Sequence, residues 1–541
     1  MLSRLTLLFV FCLPAVAPAQ NSHSDLVALF QEWRSFHAPA MVDGVPDYTA
    51  EAMSARHTAL PAWYDKLAAI DTTGWPVSEQ IDVYLVWAEM NGLDFAHRVK
   101  SPWTRMPAFY IWFYPSPTDV PEREGPNIFG AIELPNYATP LSAADADELT
   151  RRLAAAPALY EQARINLTGN ARDLWSSGIM SIDAQTGQLQ GFADTVEPAF
   201  PDLATSARTA AEASASFAEW LRAELPEKTG LSGVGKENYS WNMRNVHLLP
   251  YDWQDEVDLM WRELYRSHAS LRLEEARNQG LPELDRIDSP QAYDAAIGQA
   301  IEDMLAFFET SDIMDVEPYF EPALREQAGS YQPIGRADDL RNFFAEVMYR
   351  DPMTMRLHHY HWIDLARMRE DPHPSPIRAT PLLYNIFDSR AEGVATGLEE
   401  MMTHAGIMDD RPRGREQMWI MLAMRAARAI GGLHQHGGEM TMQEATEFAE
   451  KWTPRELFPA ESSLNQWEQA FYLRQPPYGS SYVTGKAEVE RILAAYSRQQ
   501  GASFSMREFF RVFNDAGVIP TTLIYWELTG DRGLLDQVLE R

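Results

Sequence analysis

The chain has almost no cysteine, few basic residues and no long apolar run, and each absence excludes a class of protein. Cys12 is the only cysteine among 541 residues, and it lies in a segment that we expect to be removed as a signal. Disulfide scaffolds, thiolate metal sites and cysteine nucleophiles are therefore excluded. Any transition metal must be held by His, Asp and Glu.

Common hydrolase and nucleotide motifs are also missing. The chain contains no H-E-x-x-H zinc motif and no G-x-S-x-G nucleophile elbow. Gly485 and Lys486 lack the spacing of a phosphate-binding loop. If the protein is an enzyme, its site must be assembled from residues outside these motifs.

The scarcity of basic residues argues against polyanionic partners. The chain has 46 Lys and Arg against 77 Asp and Glu, a formal net charge of −31. Contacts to nucleic acid and to anionic membranes both need clustered basic side chains. We therefore expect no nucleic-acid partner and a solvated acidic surface, with a saline habitat or a cationic ligand as alternatives.

Residues 1–19 have the pattern of a secretory signal peptide. Arg4 supplies the positive charge, residues 5–16 are almost wholly apolar, and residues 17–19 form a small-residue cleavage site. The apolar segment is too short to span a bilayer, and no later segment is long and apolar enough. We expect an exported chain, periplasmic or extracellular, with no membrane span.

Helical periodicity runs through almost every long segment. Residues 26–33 and 81–90 space their apolar side chains for one helix face. Asp252 and Asp255 fit the cap and third position of another helix. The pattern over 418–430 is expected to end at a C-cap formed by Gly431-Gly432. We predict an all-α fold.

Strand-like alternation is scarce, and 108–114 and 128–134 are its best candidates. Loop-forming residues concentrate around 225–238, where we place a boundary between helical regions 20–228 and 229–541. The second region carries the candidate site. No low-complexity linker separates the two regions, so we expect them to pack closely.

Three of the thirteen histidines occupy four positions, as His358, His359 and His361. If residues 356–368 form one helix, His358 and His361 share a face, and Asp364 lies one turn further along it. His359 then points about 100° away from His358. The stripe could face a metal or a substrate. Alternatively, these histidines satisfy hydrogen bonds in a core rich in aromatic residues.

Carboxylates follow on a second helical pattern. Ser389 could cap a helix that runs past Met401, with Glu392 in its first turns and Glu399 two turns later. A carboxylate near a helix start gains from the positive helix end. Glu392 is thus either a metal ligand or a simple capping residue.

Two further segments carry candidate substrate-binding residues. In Gly-Leu-His-Gln-His-Gly, His434 stands at a predicted helix end, where it could bind a ligand or only stabilise the helix dipole. Residues 476–486 are predicted to form a loop rich in hydrogen-bond donors. Its Tyr478 or Tyr482 could polarise a carbonyl group or stabilise an oxyanion, or the loop could simply be well bonded at the surface.

Together these segments resemble a known family. The chain is similar to the bacterial domain-of-unknown-function family 885 along most of its mature length. The segments that carry the resemblance are 89–95, 233–239, 425–434, 476–485 and 509–520. The resemblance implies a helical body with a central cleft, similar in fold to gluzincin-type zinc metallopeptidases.

The family's metal motif is altered in this chain. The usual pattern is H-E-x-x-P-G-H, followed by a Glu that opens an E-G-W-A-L-Y helix. His359 matches the second histidine, Glu392 matches the later Glu, and Tyr482 matches a family tyrosine. Met353 and Thr354 take the places of the first histidine and the catalytic Glu. The usual general base is therefore missing.

Our first hypothesis is that the site has been rebuilt. His358 or His361 replaces the lost ligand beside His359 and Glu392, and the group holds zinc or another divalent metal.

In this hypothesis Asp364, Glu399 or another carboxylate acts as the base, and Tyr482 assists at the oxyanion. The protein is then an exported metal-dependent hydrolase acting on a small peptide or amide. The alternative is an inactive relative that binds a peptide or other small ligand, and a third possibility is a metal-free acid–base enzyme using His and Tyr. We favour the hydrolase.

Overall fold

The computed structural model describes residues 22–121, 130–331 and 343–540, and helices account for most of them. The predicted all-α fold is confirmed. The predicted signal peptide, residues 1–19, lies outside the described residues. Within the described ranges, no helix has both the length and the apolar character needed to cross a bilayer.

The first half of the chain is built mainly of helices. In chain order they are α1 (His23–His37), α2 (Ala50–Ala68), α3 (Val77–Phe95), α4 (Pro102–Arg105), α5 (Ala143–Leu153), α6 (Ala156–Asn166), α7 (Arg172–Val196), α8 (Pro201–Glu224), α9 (Lys236–Asn245) and α10 (Trp253–Arg277).

The second half continues in the same way. Its helices are α11 (Pro290–Thr310), α12 (Phe320–Glu326), α13 (Phe343–Met348), α14 (Met353–His358), α15 (Tyr360–Glu370), α16 (Pro376–Ala379), α17 (Asp388–Ala405), α18 (Pro412–Gly437), α19 (Met442–Trp452), α20 (Ser463–Arg474), α21 (Tyr478–Gln500), α22 (Met506–Asp515), α23 (Thr521–Thr529) and α24 (Gly533–Glu540).

Strands are few and short among the described residues. A hairpin pairs β1 (Met41–Val42) with β2 (Val45–Pro46), and a parallel pair joins β3 (Phe113–Tyr114) to β4 (Ile132–Glu133). The predicted strand 108–114 is therefore largely wrong, since Pro107–Tyr110 forms a 3-10 turn. Its last two residues do pair with the segment predicted as the second strand.

Three large apolar clusters hold the helices together. The first joins α1 and α3 to α11, α15, α17 and α21–α24, so Trp33 near the start and Leu523 near the end share one core. The second is built mainly from α5–α8, and the third from α9, α10 and α18. Helices α14, α17, α18 and α21 meet between the first and third clusters. The boundary at residue 228 stays a prediction.

Two predictions about helix ends have opposite outcomes. Asp252 caps α10, accepting a hydrogen bond from the Asp255 backbone N–H, as predicted. The predicted C-cap at Gly431 and Gly432 is wrong, because α18 runs on to Gly437. The two glycines instead allow close packing: a Cβ on Gly431 would lie 3.1 Å from the Ala445 Cβ, and one on Gly432 would lie 3.2 Å from the Tyr472 Cβ.

Three local predictions around the candidate site are also wrong. Residues 356–368 do not form one helix, because α14 ends at His358 and α15 begins at Tyr360. Ser389 lies inside α17 instead of capping it. The segment 478–486 is the start of α21, not a loop.

Helices α17 and α21 cross at a pair of glycines. A Cβ on Gly393 would lie 2.4 Å from the Gly485 carbonyl carbon, and a Cβ on Gly485 would lie 2.3 Å from the Ser389 carbonyl oxygen. Only glycine permits so close an approach of two backbones. The crossing brings Glu392, next to Gly393, towards the first turns of α21.

We expect Gly393→Ala to lower the free energy of unfolding by about 1–3 kcal/mol, because the added methyl group must push the two helix backbones apart. Gly187→Ala is the matched control. It lies in α7, is exposed and has nothing within 4 Å of an added Cβ. That control should be neutral or stabilising by up to about 1 kcal/mol. Urea unfolding measures the free energy of unfolding of both variants. Equal changes in the two variants would contradict the close crossing of α17 and α21.

Candidate metal centre

Buried and partly buried polar side chains converge where these helices meet. They come from α14 and α15 (His358, His361), α17 (Glu392, Glu399), α18 (Arg425, Arg428) and α21 (Tyr478, Tyr482).

Two histidines and one glutamate form the centre of this group. One nitrogen each of His358 and His361 and one oxygen of Glu392 all lie within 4.8 Å of one another. His361 Nε2 is 3.1 Å from Glu392 Oε2, and the side chains of His361 and Glu392 are 2% and 1% exposed. Two histidines and a carboxylate are a ligand set of catalytic zinc, which leaves a fourth position open. The donor chemistry therefore fits a divalent metal.

Without a metal, His361 and Glu392 form an ion pair. Burial disfavours a charge on His361, but the negative charge and hydrogen bond of Glu392 outweigh the effect of burial. The pKa of His361 is therefore raised to about 9. Burial likewise favours the neutral form of Glu392, but His361, His358 and a hydrogen bond from Tyr478 lower its pKa to about 2. Each group is thus charged near neutral pH because the other is present.

A carboxylate and a guanidinium both contact one ring nitrogen of His358. Its Nδ1 lies 3.0 Å from Glu399 Oε1 and 3.1 Å from Arg425 Nη2. Burial and Arg425 lower the pKa of His358 well below its ordinary value, so the ring is neutral. Because a guanidinium only donates, the contact with Arg425 is a hydrogen bond in the tautomer whose Nδ1 accepts. A metal on Nε2 would require the other tautomer, in which Nδ1–H donates to Glu399 and Nε2 keeps its lone pair. Carboxylates orient histidine ligands of metals in this way.

Glu399 therefore lies next to His358 Nδ1. It accepts hydrogen bonds of 2.5 and 2.7 Å from the two terminal nitrogens of Arg425. Burial raises the pKa of Glu399, although Arg425 opposes the shift. A carboxylate with both oxygens bound to one arginine suits an orienting role better than that of a base.

The two predicted tyrosines line the same site. Tyr478 donates a 2.5 Å hydrogen bond to Glu392 Oε1, and Tyr482 donates one of 3.1 Å to the Tyr478 oxygen. The Arg428 guanidinium lies 4.7 Å from the centre of the Tyr482 ring. Burial and the charge of Glu392 raise the pKa of both tyrosines well above the ordinary value. Both hydroxyls remain protonated and can donate hydrogen bonds.

Asp119 is a site residue that the sequence did not reveal. It lies in the loop after β3, and its charge acts on His361 and Glu392 across the junction. Its side chain is exposed to solvent, although many protein atoms lie around it. Burial raises the pKa of the Asp119 carboxyl, and His361 opposes this. Nothing in its local sequence distinguishes it from the chain's many other acidic residues.

Three predicted residues lie outside the cluster. His359 stands at the break between α14 and α15, with Nε2 3.4 Å from Arg356 Nη2. Asp364 accepts hydrogen bonds from Arg390 and Arg367. His434 lies at the end of α18 with its Nδ1 2.6 Å from Glu439 Oε2. His359 does not join the cluster, and Asp364 is paired with two arginines.

Two solved structures share this fold. A candidate lipoprotein of unknown function from Shewanella oneidensis is 14% identical and superposes with a TM-score of 0.67, covering 93% of this chain and 99% of that chain. A candidate lipoprotein from Colwellia psychrerythraea is 13% identical, with a TM-score of 0.61 and coverage of 95% and 98%. None of the curated proteins matches the chain.

The sequence matches one family along most of its length. The matched residues are 37–328 and 358–527, and the family is described as a bacterial protein of unknown function. The second matched segment begins at His358, the first histidine of the cluster, and includes Glu392 and both tyrosines. This protein therefore belongs to the bacterial family DUF885.

Proposed function

We propose that this protein is a metal-dependent hydrolase that cleaves an amide bond in a small peptide or related compound. Zinc or another divalent metal would be held by His358, His361 and Glu392. The observation that carries the proposal is the convergence of one ligand atom from each of these three side chains within 4.8 Å. The gluzincin-like fold that the sequence resemblance implies would point to the same chemistry.

The neighbouring side chains have distinct roles in this proposal. A bound divalent metal would lower the pKa of a water molecule and polarise the substrate carbonyl. Asp119, an exposed carboxylate whose charge interacts with those of His361 and Glu392, would accept a proton from the attacking water. Tyr482, whose single O–H donates to Tyr478, would turn this O–H towards the oxygen that gains negative charge. Asp119 thus replaces Asp364 and Glu399 as the proposed base.

We also propose that the protein is exported to the periplasm or the cell exterior. Both similar solved structures are described as candidate lipoproteins. Residues 1–19 have the composition of a secretory signal.

A second candidate function is binding of a peptide or other small ligand without catalysis. It is favoured by the hydrogen bonds that Glu392 accepts from His361 and Tyr478. These bonds satisfy both oxygens of the buried carboxylate without a metal.

Turnover of a peptide mixture by protein loaded with zinc, manganese, iron or nickel separates the two functions. We expect cleavage by the metal-loaded protein, loss of cleavage after chelation and recovery on adding metal back. Absence of stoichiometric binding for all four metals would contradict the hydrolase and leave the binding function.

Metal affinity should rise with pH. A metal must displace the proton of His361, whose pKa is raised to about 9, so affinity should increase about tenfold per pH unit below 9 and level off above it. Competition titration with a metal indicator at several pH values, corrected for indicator protonation, measures this. Affinity that is independent of pH between about 6 and 8 would contradict a metal bound to His361.

The same ion pair makes the stability of the metal-free protein depend on pH. The stabilisation that the charged His361 contributes is fully present below the pKa of histidine in the unfolded chain. It is lost as the pH rises through about 9. The stabilisation that the charged Glu392 contributes is fully present above the pKa of glutamate in the unfolded chain. It is lost as the pH falls through about 2.

A further inference from the structure

A cavity beside the metal centre contains a buried arginine that binds no carboxylate. The cavity has a volume of about 300 Å³ and lies between the loop after β3, α7 and α20. Apolar side chains form much of its wall, including Phe113, Val120, Trp467 and Phe471. Arg474 supplies the positive charge.

Arg474 lacks the carboxylate partner that Arg390 and Arg425 have. Among the described residues Arg356, beside His359, also lacks one, but it does not line this cavity. Arg474 is 6% exposed, its Nη1 donates a 2.7 Å hydrogen bond to Ser181 Oγ, and its Nε has no partner. Across the described ranges, no carboxylate forms an ion pair with it. By contrast, Arg390 and Arg425 each bind a carboxylate with two nitrogens.

A buried charge without a counter-ion is costly, so proteins seldom keep one that nothing neutralises. Burial lowers the pKa of Arg474 to about 10, which still leaves the guanidinium charged at neutral pH. A planar guanidinium with free N–H groups matches the geometry of a carboxylate. The missing counter-ion is therefore best supplied by a ligand.

Two features connect the wall of the cavity with the proposed metal site. The ring of Phe471 lies 4.8 Å from the ring of Tyr478, whose hydroxyl binds Glu392. Thr118 and Val120 line the cavity on either side of Asp119 in the chain. A ligand in the cavity would extend towards Glu392.

We propose that Arg474 binds the free carboxylate of the substrate, with an apolar side chain of the substrate packed in the same cavity. Resting on the proposed function, the substrate is a small peptide or N-acyl amino acid, cut at its last amide bond. Water adds to the carbonyl carbon, the C–N bond breaks, and the departing amino acid leaves with a protonated amine.

Binding of two matched probes tests the subsite directly. N-acetyl-L-phenylalanine and its amide differ only in the charge at the carboxyl end, and calorimetry gives the affinity of each. We expect the wild-type protein to bind the acid at least about tenfold more tightly than the amide. Arg474→Gln should remove this difference, whereas Arg498→Gln, an exposed position on α21, should retain it.

Equal affinity of the wild-type protein for acid and amide, or no binding of either, would overturn the subsite. So would an acid preference that survives Arg474→Gln. The thermal unfolding midpoint of Arg474→Gln, and of Arg474→Met, should be equal to or above that of the wild type, because each variant removes an unpaired buried charge. A lower midpoint for both would indicate a structural role and contradict the inference.

The experiments distinguish an error in the proposed carboxylate subsite from an error in the proposed hydrolase function. Acid preference that depends on Arg474, without cleavage of any peptide, would leave the subsite standing and remove the hydrolase. Equal cleavage of free and C-terminally amidated peptides would leave the hydrolase and remove the subsite. Glu392→Gln should keep the acid preference in either case, because Arg474 lies on a different helix.

Discussion

Replacement of Glu392 with Gln is expected to abolish metal binding and to lower turnover by about three orders of magnitude, or about 4 kcal/mol in activation free energy. The amide keeps the shape of the side chain and can still accept a hydrogen bond from Tyr478, but it loses the negative charge. His361 then loses the partner that raises its pKa. Metal analysis and peptide turnover measure the two effects.

Glu400→Gln is the matched control for this variant. Glu400 lies on the same helix and is 5% exposed, but it binds Arg266 and Lys486. We expect its metal content to match that of the wild type. Equal loss of metal from both variants would indicate general damage to α17, and retention of metal by both would exclude Glu392 as a ligand.

Replacement of Asp364 with Ala is expected to lower the free energy of unfolding by about 3–5 kcal/mol. Asp364 binds Arg390 through contacts of 2.8 and 3.2 Å, and Arg390 is 0% exposed. The variant leaves the buried guanidinium with only Asn514 as a polar partner among the described residues. Urea unfolding measures the loss.

Two further variants define what Asp364 does. Asp147→Ala, at an exposed position of α5, should change stability by less than about 0.5 kcal/mol. A double variant, Asp364→Leu with Arg390→Met, should recover much of the loss, because apolar residues of similar volume can replace a buried pair. If Asp364→Ala kept full stability but lost turnover, Asp364 would be a catalytic residue after all.

The helical fold was predictable because it depends on local periodicity. Apolar residues recur at helical spacing in segments such as 81–90, which forms part of the buried face of α3. Where packing between distant helices decides the outcome, the local pattern failed. Gly431 and Gly432 look like a helix end, but they lie inside α18 at close contacts with α19 and α20.

The candidate site was predictable in part for the same reason. The density of histidines and the later Glu392 drew attention to three residues that the fold brings together. The break at His359 could not be foreseen, but His358 and His361, the pair predicted to share a face, still converge. Asp119 and Arg474 reach their places through loop and helix packing across hundreds of positions, which no local spacing records.

Anomalous diffraction from crystals of the zinc-loaded protein is the most direct test of the metal centre. The predicted result is one strong peak within bonding distance, about 2.0–2.2 Å, of a nitrogen of His358, a nitrogen of His361 and an oxygen of Glu392. No peak at this junction in crystals grown with excess zinc, or a peak bonded only to other residues, would contradict the proposed site.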